Sequence, residues 1–211
     1  MKDDYDFDVK KERPEERYKN VIDYFSGKIL SKYATSKSMM KIQEKITIRA
    51  LELLDLKKTN CLILDAGCGP GFTSIYLKEM GYNVVALDII SEFLYFYDLR
   101  ELNPIAADMC LLPFQSNSFD AIISISTLQW IYRDINHRKM RLRLLNLTKS
   151  FERILKPESK IIFQFYPKNN EIMEEIGKFF THNTELNGNF VIDNPNNPKK
   201  RKIFLFLRKG N

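Results

Sequence analysis

Residues 61–71, Cys-Leu-Ile-Leu-Asp-Ala-Gly-Cys-Gly-Pro-Gly, decide how this chain folds. An apolar run ends at Asp65 and passes into a turn that contains Gly67, Gly69 and Gly71. The chain has only 8 glycines among 211 residues, so this cluster indicates a turn whose backbone comes close to another group. The stretch predicts a buried strand over residues 62–65 and a helix over residues 72–80, with free N–H groups at the start of that helix facing a ligand.

The spacing of the turn indicates the class of ligand. Asp-x-Gly-x-Gly-x-Gly differs from the Gly-x-Gly-x-x-Gly fingerprint of dinucleotide sites, and an acid at the turn suits a cationic or hydroxyl-bearing ligand better than a pyrophosphate. The motif resembles the S-adenosylmethionine (SAM) site of class I methyltransferases, where the acid faces the methionine ammonium. The resemblance implies that Asp65, Gly67, Cys68, Gly69 and Gly71 bind SAM. The alternative is a structural glycine turn with no ligand.

Composition excludes several other classes of protein. A hydrophobic content of 44% supports one domain with a full core. No apolar run approaches the roughly 20 residues of a membrane span, and the N-terminus is too acidic for a signal peptide. We therefore expect an intracellular protein without a membrane partner, cytoplasmic or, in a eukaryote, nuclear. Three cysteines without Cys-x-x-Cys spacing and two histidines argue against a disulfide framework or a metal site, and Cys68 suits a small turn residue better than a nucleophile.

Hydrophobic periodicity predicts the domain organisation. Residues 1–18 are charged without apolar periodicity and are predicted to be a mobile arm. Residues 19–211 are predicted to form a single domain, in which amphipathic helices within residues 21–57 cover the site and residues 60–211 form the sheet core. Strands are predicted over 62–65, 83–87, 105–107, 119–126, 160–166, 190–192 and 202–207, and helices over 72–80, 91–100, 142–155 and 171–180. This alternation predicts an α/β protein with a seven-stranded, mostly parallel sheet and one antiparallel strand, which is the class I methyltransferase Rossmann-like fold.

Further candidate ligand residues follow the predicted strands. Asp88 ends the second strand about 20 residues beyond the turn, where an adenosine ribose is held, with Ile89 beside it; a helix cap is the alternative for Asp88. Asp108 and Met109 follow the third strand and would flank the adenine. Ser126 ends the fourth strand at the carboxyl edge, where ligands of open α/β sheets bind.

A second motif narrows the substrate. Residues 124–130, Ser-Ile-Ser-Thr-Leu-Gln-Trp, resemble the Ser-Ile-Ser-x-x-Gln-Trp signature of the eukaryotic small-subunit ribosomal RNA guanine-N7 methyltransferases. Further matches are residues 32–33, 42–43, 49–54, 164–169 (Gln-Phe-Tyr-Pro-Lys-Asn) and 191–202. One difference is that the basic C-terminal extension of those proteins is not found in the sequence up to Asn211. The resemblance implies SAM-dependent methyl transfer to guanine N7 of small-subunit ribosomal RNA during ribosome biogenesis.

The resemblance also implies roles for individual residues. Trp130 and Tyr166 would hold the guanine between aromatic faces, although Trp130 could equally pack in the core or against the cofactor. Gln129 would read the base edge or cap the following helix. Family members usually carry an arginine for the SAM carboxylate at position 38, where this chain has Ser38. Lys37 next to it is therefore a candidate, and Tyr33 belongs to the same predicted cofactor site.

Two kinds of partner follow from the resemblance. The family depends on a small zinc-binding activator protein that pairs with the edge of the sheet at the third strand, here residues 104–112, so a heterodimer is expected. The other partner is ribosomal RNA or a pre-ribosomal small subunit. Two basic clusters would contact its phosphates, or would simply be solvated; they comprise Arg138, Lys139, Arg141 and Arg143, and Lys199, Lys200, Arg201 and Lys202.

Two other functions remain open from the sequence. The chain could be a methyltransferase of transfer RNA, of a protein or of a small molecule. It could also be a ribosome-assembly factor with vestigial catalysis, a reading favoured only by Ser38.

Overall fold

The computed structural model describes residues 7–57, 60–96, 102 and 104–211. Seven strands form one sheet: β1 Leu62–Ala66, β2 Asn83–Asp88, β3 Ile105–Ala106, β4 Phe119–Ile125, β5 Leu155–Phe165, β6 Leu186–Asp193 and β7 Lys202–Lys209. Their order across the sheet is β3-β2-β1-β4-β5-β7-β6, and β7 alone runs in the direction opposite to the other six strands. The predicted class I methyltransferase architecture is confirmed.

The helices connect and cover these strands. Within the described residues, eight are α-helical: α1 Pro14–Arg17, α2 Val21–Tyr24, α3 Gly27–Ala34, α4 Lys37–Leu54, α5 Phe72–Glu79, α6 Leu128–Ile131, α7 Arg138–Ile154 and α8 Asn170–Asn183. The longest of them, α4, begins after Ser36, whose hydroxyl accepts a hydrogen bond from Met39 N, and ends at Asp55 in the left-handed region. These caps define the two ends of α4, and the apolar periodicity of the sequence runs between them.

Alternate residues of the central strands face two separate cores. Leu64 and Ile122 pack into the core that contains α7 and α8, whereas Ile63 and Ile123 pack into the core that contains α4 and α5. Helices therefore cover both faces of the sheet. Such strands are apolar on both faces, which is why they could be predicted as continuous apolar runs.

Some boundaries differ from the prediction. Residues 91–96 form a 3₁₀ helix, Ser91–Phe96, in place of the first part of the predicted helix over 91–100, whose remainder, 97–100, lies outside the described residues. β5 begins at Leu155, although Pro157 suggested a later start, because Leu155 already pairs with Phe119 before a register shift. β6 is longer than predicted because it pairs with β7 along its whole length. The sequence does not indicate its first half, because Asn187 and Asn189 are exposed polar residues and interrupt the apolar run that predicts a strand.

Residues 7–18, the N-terminal segment, lie against the domain, where the sequence predicts a mobile arm; residues 1–6 lie outside the described part. Phe7 is 8% exposed, and Asp8 forms an antiparallel bridge with Asn169. Val9 N donates to Lys168 O at 2.9 Å. Apolar periodicity cannot reveal such a segment, because it is held by one buried ring and by backbone pairing with a distant loop.

Candidate functional site

The glycine turn between β1 and α5 forms the floor of the site. Gly67, Gly69 and Gly71 have φ values of +81°, +54° and +92°. A Cβ on Gly67 would lie 2.2 Å from Thr127 Cγ2, so this position has no room for a side chain. Gly67 N and Cys68 N both donate to Leu87 O, at 2.7 and 3.0 Å, which fixes the turn against the end of β2.

Two buried carboxylates flank this turn. Asp65 is 1% exposed and accepts a hydrogen bond of 2.5 Å from Ser74 Oγ, while Asp88 accepts from Gly69 N at 2.7 Å and from Ile90 N at 2.8 Å. Burial raises the pKa of Asp65 to about 7, and the charge of Asp88 adds to that increase. Burial also raises the pKa of Asp88. A cationic ligand beside the turn would favour the ionised form of both acids.

A cavity of about 470 Å³ opens over the turn. The carboxyl ends of the strands form its inner wall, and the helices before β1 form its outer wall. Most of the predicted cofactor residues line it, together with Trp130: Tyr33, Gly67, Gly69, Asp88, Ile89, Asp108, Met109 and Ser126. Cationic side chains also line it, from the segment between α1 and α2, from the loop between α6 and α7, and from α7: Lys19, Arg133, Lys139 and Arg143.

Six of the predicted site residues do not line this cavity: Asp65, Cys68, Gly71, Lys37, Gln129 and Tyr166. Cys68 is buried against Ala86 and Leu102, as a small residue of the turn. Gly71 caps the start of α5. Lys37 is exposed at the first position of α4, as is Ser38 at the second, and neither lines the cavity, so contact between Lys37 and the SAM carboxylate stays a prediction.

Asp108 is joined to the first basic cluster, a contact that the sequence does not reveal. Arg143 approaches it as a fork, with Nη1 3.0 Å from Oδ2 and Nη2 3.2 Å from Oδ1. Cys110 N donates to Oδ1 as well, at 2.9 Å. Asp108 lies in the loop after β3 and Arg143 lies in α7, two elements that periodicity alone cannot bring together, so the sequence predicts only phosphate contact for Arg143.

The two signature motifs interlock at the ends of β4 and β5. Ser126, with φ +61°, donates from N to Gln164 O at 2.7 Å and from Oγ to Gln164 Oε1 at 3.0 Å. Gln129 Nε2 donates to Ser126 O at 2.8 Å, and Tyr166 N donates to Gln129 Oε1 at 3.4 Å. The Gln129 amide thus bridges two strand ends, where the sequence predicts contact with the base or a helix cap.

The two predicted guanine-holding aromatics lie on different sides of Gln129. Trp130 lines the cavity and stacks on Tyr24 of α2, with ring centres 5.5 Å apart and planes at 28°. Tyr166 lines an adjoining hollow with Gln129 and Arg133. Arg133 lines both the hollow and the cavity, so its side chain lies between them. Sequence reasoning missed Arg133, although it lies only three residues after the signature tryptophan.

Two further findings concern the described residues only. They contain no group of three or more His, Cys, Asp or Glu side chains that could hold a metal ion. Among them, no helix combines the length and the apolar character that crossing a membrane requires.

Comparisons with known proteins agree with this geometry. A family profile described as "Methyltransferase domain" matches residues 64–163. The 18S rRNA (guanine(1575)-N(7))-methyltransferase of Saccharomyces cerevisiae is 35% identical over 206 residues, covering 94% of this chain and 73% of the yeast protein. The 18S rRNA (guanine-N(7))-methyltransferase of Bos taurus is 34% identical over 196 residues, covering 89% of this chain and 68% of the bovine protein. The chain spans 64–73% of the length of the first curated relatives that it matches.

A solved structure supports the fold independently. The N-methyltransferase NodS from Bradyrhizobium japonicum, crystallised with S-adenosyl-L-homocysteine, superposes with a TM-score of 0.64 at 14% sequence identity, over 86% of this chain and 97% of NodS. At that identity the likeness shows the shared fold.

Proposed function

The chain belongs to the family of 18S rRNA (guanine-N7)-methyltransferases, and on that premise we propose that it transfers a methyl group from SAM to guanine N7 of small-subunit ribosomal RNA. The observation that carries the proposal is the interlock of the two signature motifs beside the cavity, through Ser126, Gln129 and Gln164. The activity would belong to ribosome biogenesis and would take place wherever the small subunit matures, in the nucleus or the cytoplasm.

The cavity fits SAM in shape and in charge. Its volume of about 470 Å³ falls within the range of small-molecule sites, and Gly67 and Gly69 of the glycine turn line it. Asp88, which lines the cavity, suits a ligand that carries an ammonium and a sulfonium, whereas Asp65 is buried against Ser74 and does not line it. In the proposed complex Asp88 holds the ribose, and Asp108 with Met109 flanks the adenine. Tyr33, Ile89 and Ser126 complete the wall of the site.

The chemistry needs positioning more than proton transfer. When bound, SAM supplies a methyl group that is activated by the positive sulfonium. Guanine N7 attacks with an in-plane lone pair and carries no proton that must leave, so no general base is required. The protein must therefore hold the guanine in line with the methyl group and exclude competing orientations. We assign this task to Trp130 in the cavity and Tyr166 beside it.

Gln129 acts on that geometry indirectly. By bridging Ser126 O and Tyr166 N, its amide fixes the end of β4 relative to the end of β5. Trp130 lies shortly after the end of β4, and Tyr166 directly follows the end of β5. Gln129 is therefore proposed as a positioning residue.

The proposal is tested in a strain that lacks the gene. N7-methylguanosine is mapped on small-subunit RNA with and without a plasmid copy, and SAM affinity of the purified protein is measured by titration calorimetry. We expect one guanosine to lose its methyl group in the deletion strain and to regain it with the wild-type copy. A Trp130→Ala copy should bind SAM normally without restoring the mark. Wild-type protein that binds the small subunit but never methylates it would instead indicate an assembly factor.

We further propose a heterodimer with a small zinc-binding activator protein at residues 104–112. β3 is the edge strand of the sheet, and Leu111 beside it is 71% exposed, whereas Leu112 is 5% exposed and belongs to the core. Tyr95, from the 3₁₀ helix, is 85% exposed. A partner strand added to β3 would cover this apolar surface.

The activator proposal predicts that the chain is poorly soluble alone and becomes soluble on co-expression with the activator. Leu111→Asp should abolish co-purification, whereas Leu142→Asp, at an exposed leucine on α7, should leave it intact. A monodisperse, fully active protein without the activator would contradict the proposal.

A further inference from the structure

A basic groove lies between the N-terminal segment and the turn that joins β6 to β7. It encloses about 530 Å³, and its charged lining contains a single acid, Asp8. Six basic side chains line the groove together with that acid: Lys10, Lys11 and Arg13 on the N-terminal wall, and Lys199, Arg201 and Lys202 on the opposite wall. The two walls come from opposite ends of the chain, so the sequence shows them as unrelated charge clusters.

The two walls of the basic groove are fixed to each other and to the domain. The N-terminal wall is held by its backbone, since Asn170 N donates to Phe7 O at 3.2 Å, and Arg13 Nη1 donates to Pro167 O at 3.2 Å. The turn wall is held by Arg201, whose guanidinium lies 4.8 Å from the centre of the Phe7 ring. A groove that is already formed loses little conformational entropy when a ligand binds.

In the described residues, only part of the charge of the basic groove is neutralised: Arg13 Nη1 lies 3.9 Å from Glu15 Oε1. Lys10, Lys11 and Lys199 are exposed, and none of them pairs with a carboxylate in the part of the chain that the structure describes. The neighbouring acids have other partners: Glu12 pairs with Arg17 at 2.5 Å, and Glu16 pairs with Lys168 at 2.5 Å. The groove is therefore a positive surface available to a polyanion.

The aromatic side chain of Tyr166 lies at the end of the basic groove that is nearer to Gln129 and Arg133. Tyr166 is half-buried and forms part of the wall of both the groove and the hollow that contains Gln129 and Arg133. Lys202 Nζ lies 5.3 Å from the centre of its ring. A positive track with an aromatic face beside it is how proteins bind single-stranded nucleic acid, with phosphates on the cations and bases stacked on the ring.

We propose that the basic groove binds the phosphate backbone of the RNA strand next to the target guanosine and directs that strand past Tyr166 into the cavity. The inference rests on the proposed function, because it takes the substrate to be RNA. It gives the N-terminal segment a role in substrate binding, in concert with the β6–β7 turn.

The test changes each wall separately. Lys10→Glu/Lys11→Glu reverses two exposed charges on the N-terminal wall, and Lys199→Glu/Lys200→Glu reverses two on the turn. Lys41→Glu/Lys45→Glu is the matched control, because it makes the same charge change on exposed positions of α4, outside the groove. Binding of a labelled single-stranded RNA of about 12 nucleotides is measured over a range of salt concentrations, together with SAM affinity.

Each groove variant should bind the RNA at least about tenfold more weakly at low salt and lower the slope of log K against log salt by about 0.7 for each phosphate contact that is lost. SAM affinity should stay unchanged, and the control should bind RNA like the wild type. Groove variants that bind RNA as well as the control would overturn the proposal, as would equal competition by a polyglutamate peptide. RNA binding that depends on the groove, without any methylated guanosine, would refute the proposed function but would still support the groove as an RNA-binding site.

Discussion

Replacing Gln129 by methionine should destabilise the protein, because the Gln129 amide joins two strand ends. Methionine has a similar length and volume but neither donates nor accepts strongly. The variant removes the 2.8 Å bond from Nε2 to Ser126 O and the 3.4 Å bond from Tyr166 N to Oε1. The first has ordinary geometry, whereas the second is long for an N–H donor and contributes less. Most of the effect should therefore come from the unpaired carbonyl of Ser126.

The expected magnitude follows from that carbonyl. A fully buried acceptor that loses its partner costs about 1–3 kcal/mol; because this hydrogen bond is only partly buried, we expect a loss of about 1 kcal/mol in the free energy of unfolding. For a domain of this size, that loss corresponds to a fall in Tm of about 2–4 °C. Gln129→Glu should be destabilised to a similar degree. Its carboxylate can still accept the longer bond from Tyr166 N, but it has no N–H group to donate to Ser126 O.

The assay compares thermal unfolding with methyl-transfer kinetics. Gln115→Met serves as the control, since Gln115 is exposed and lies outside the site. In both Gln129 variants, Tm and kcat should fall together while SAM affinity changes little, because the SAM-lining residues stay in place. If Gln129 instead read the guanine edge, both variants would unfold at the wild-type temperature and would differ only in KM for RNA. That outcome would refute the positioning role.

Three other predictions follow from the cavity. Gly67→Ala should weaken SAM binding at least about tenfold in calorimetry, because its Cβ would lie 2.2 Å from Thr127 Cγ2; normal affinity would contradict the close fit. The Tm of Asp65→Asn should rise relative to that of the wild type as pH increases from 5 to 8. The reason is that the pKa of Asp65 is about 7 in the folded state, above its unfolded value, so the wild type loses stability as pH rises through that window. A difference in Tm that stays constant with pH would exclude this titration. Arg143→Met should raise the SAM Kd by releasing Asp108 while lowering stability by less than about 1 kcal/mol, because the pair is partly exposed; an unchanged Kd would show that Asp108 needs no support from α7.

The central sheet could be predicted from sequence because its signals are local. A strand buried on both faces is a short apolar run, and the turn after β1 requires glycine where φ is positive. The same reasoning located Asp88 and Ser126, since the carboxyl ends of parallel strands meet at one edge of the sheet. Each of these predictions needed only neighbouring residues and the topology.

Contacts between distant parts of the chain could not be predicted in this way. Phe7 is one apolar residue in a charged stretch, and only the folded domain supplies the loop and the Arg201 side chain that it meets. The Gln129 bridge is similar: its sequence context suggested a ligand contact or a cap, and its actual partners lie on two strands. Polar side chains have several partners available, and the choice among them is made by tertiary structure.

The most direct test of the proposed function is to locate the transferred methyl group. The purified protein, with its activator if required, is incubated with small subunits from the deletion strain and with SAM that carries an isotopically labelled methyl group. The RNA is then digested to nucleosides and analysed by mass spectrometry. The account predicts label in N7-methylguanosine from one position of the small-subunit RNA, and none with the Trp130→Ala protein. Label in another nucleoside, in transfer RNA or in ribosomal protein would contradict it.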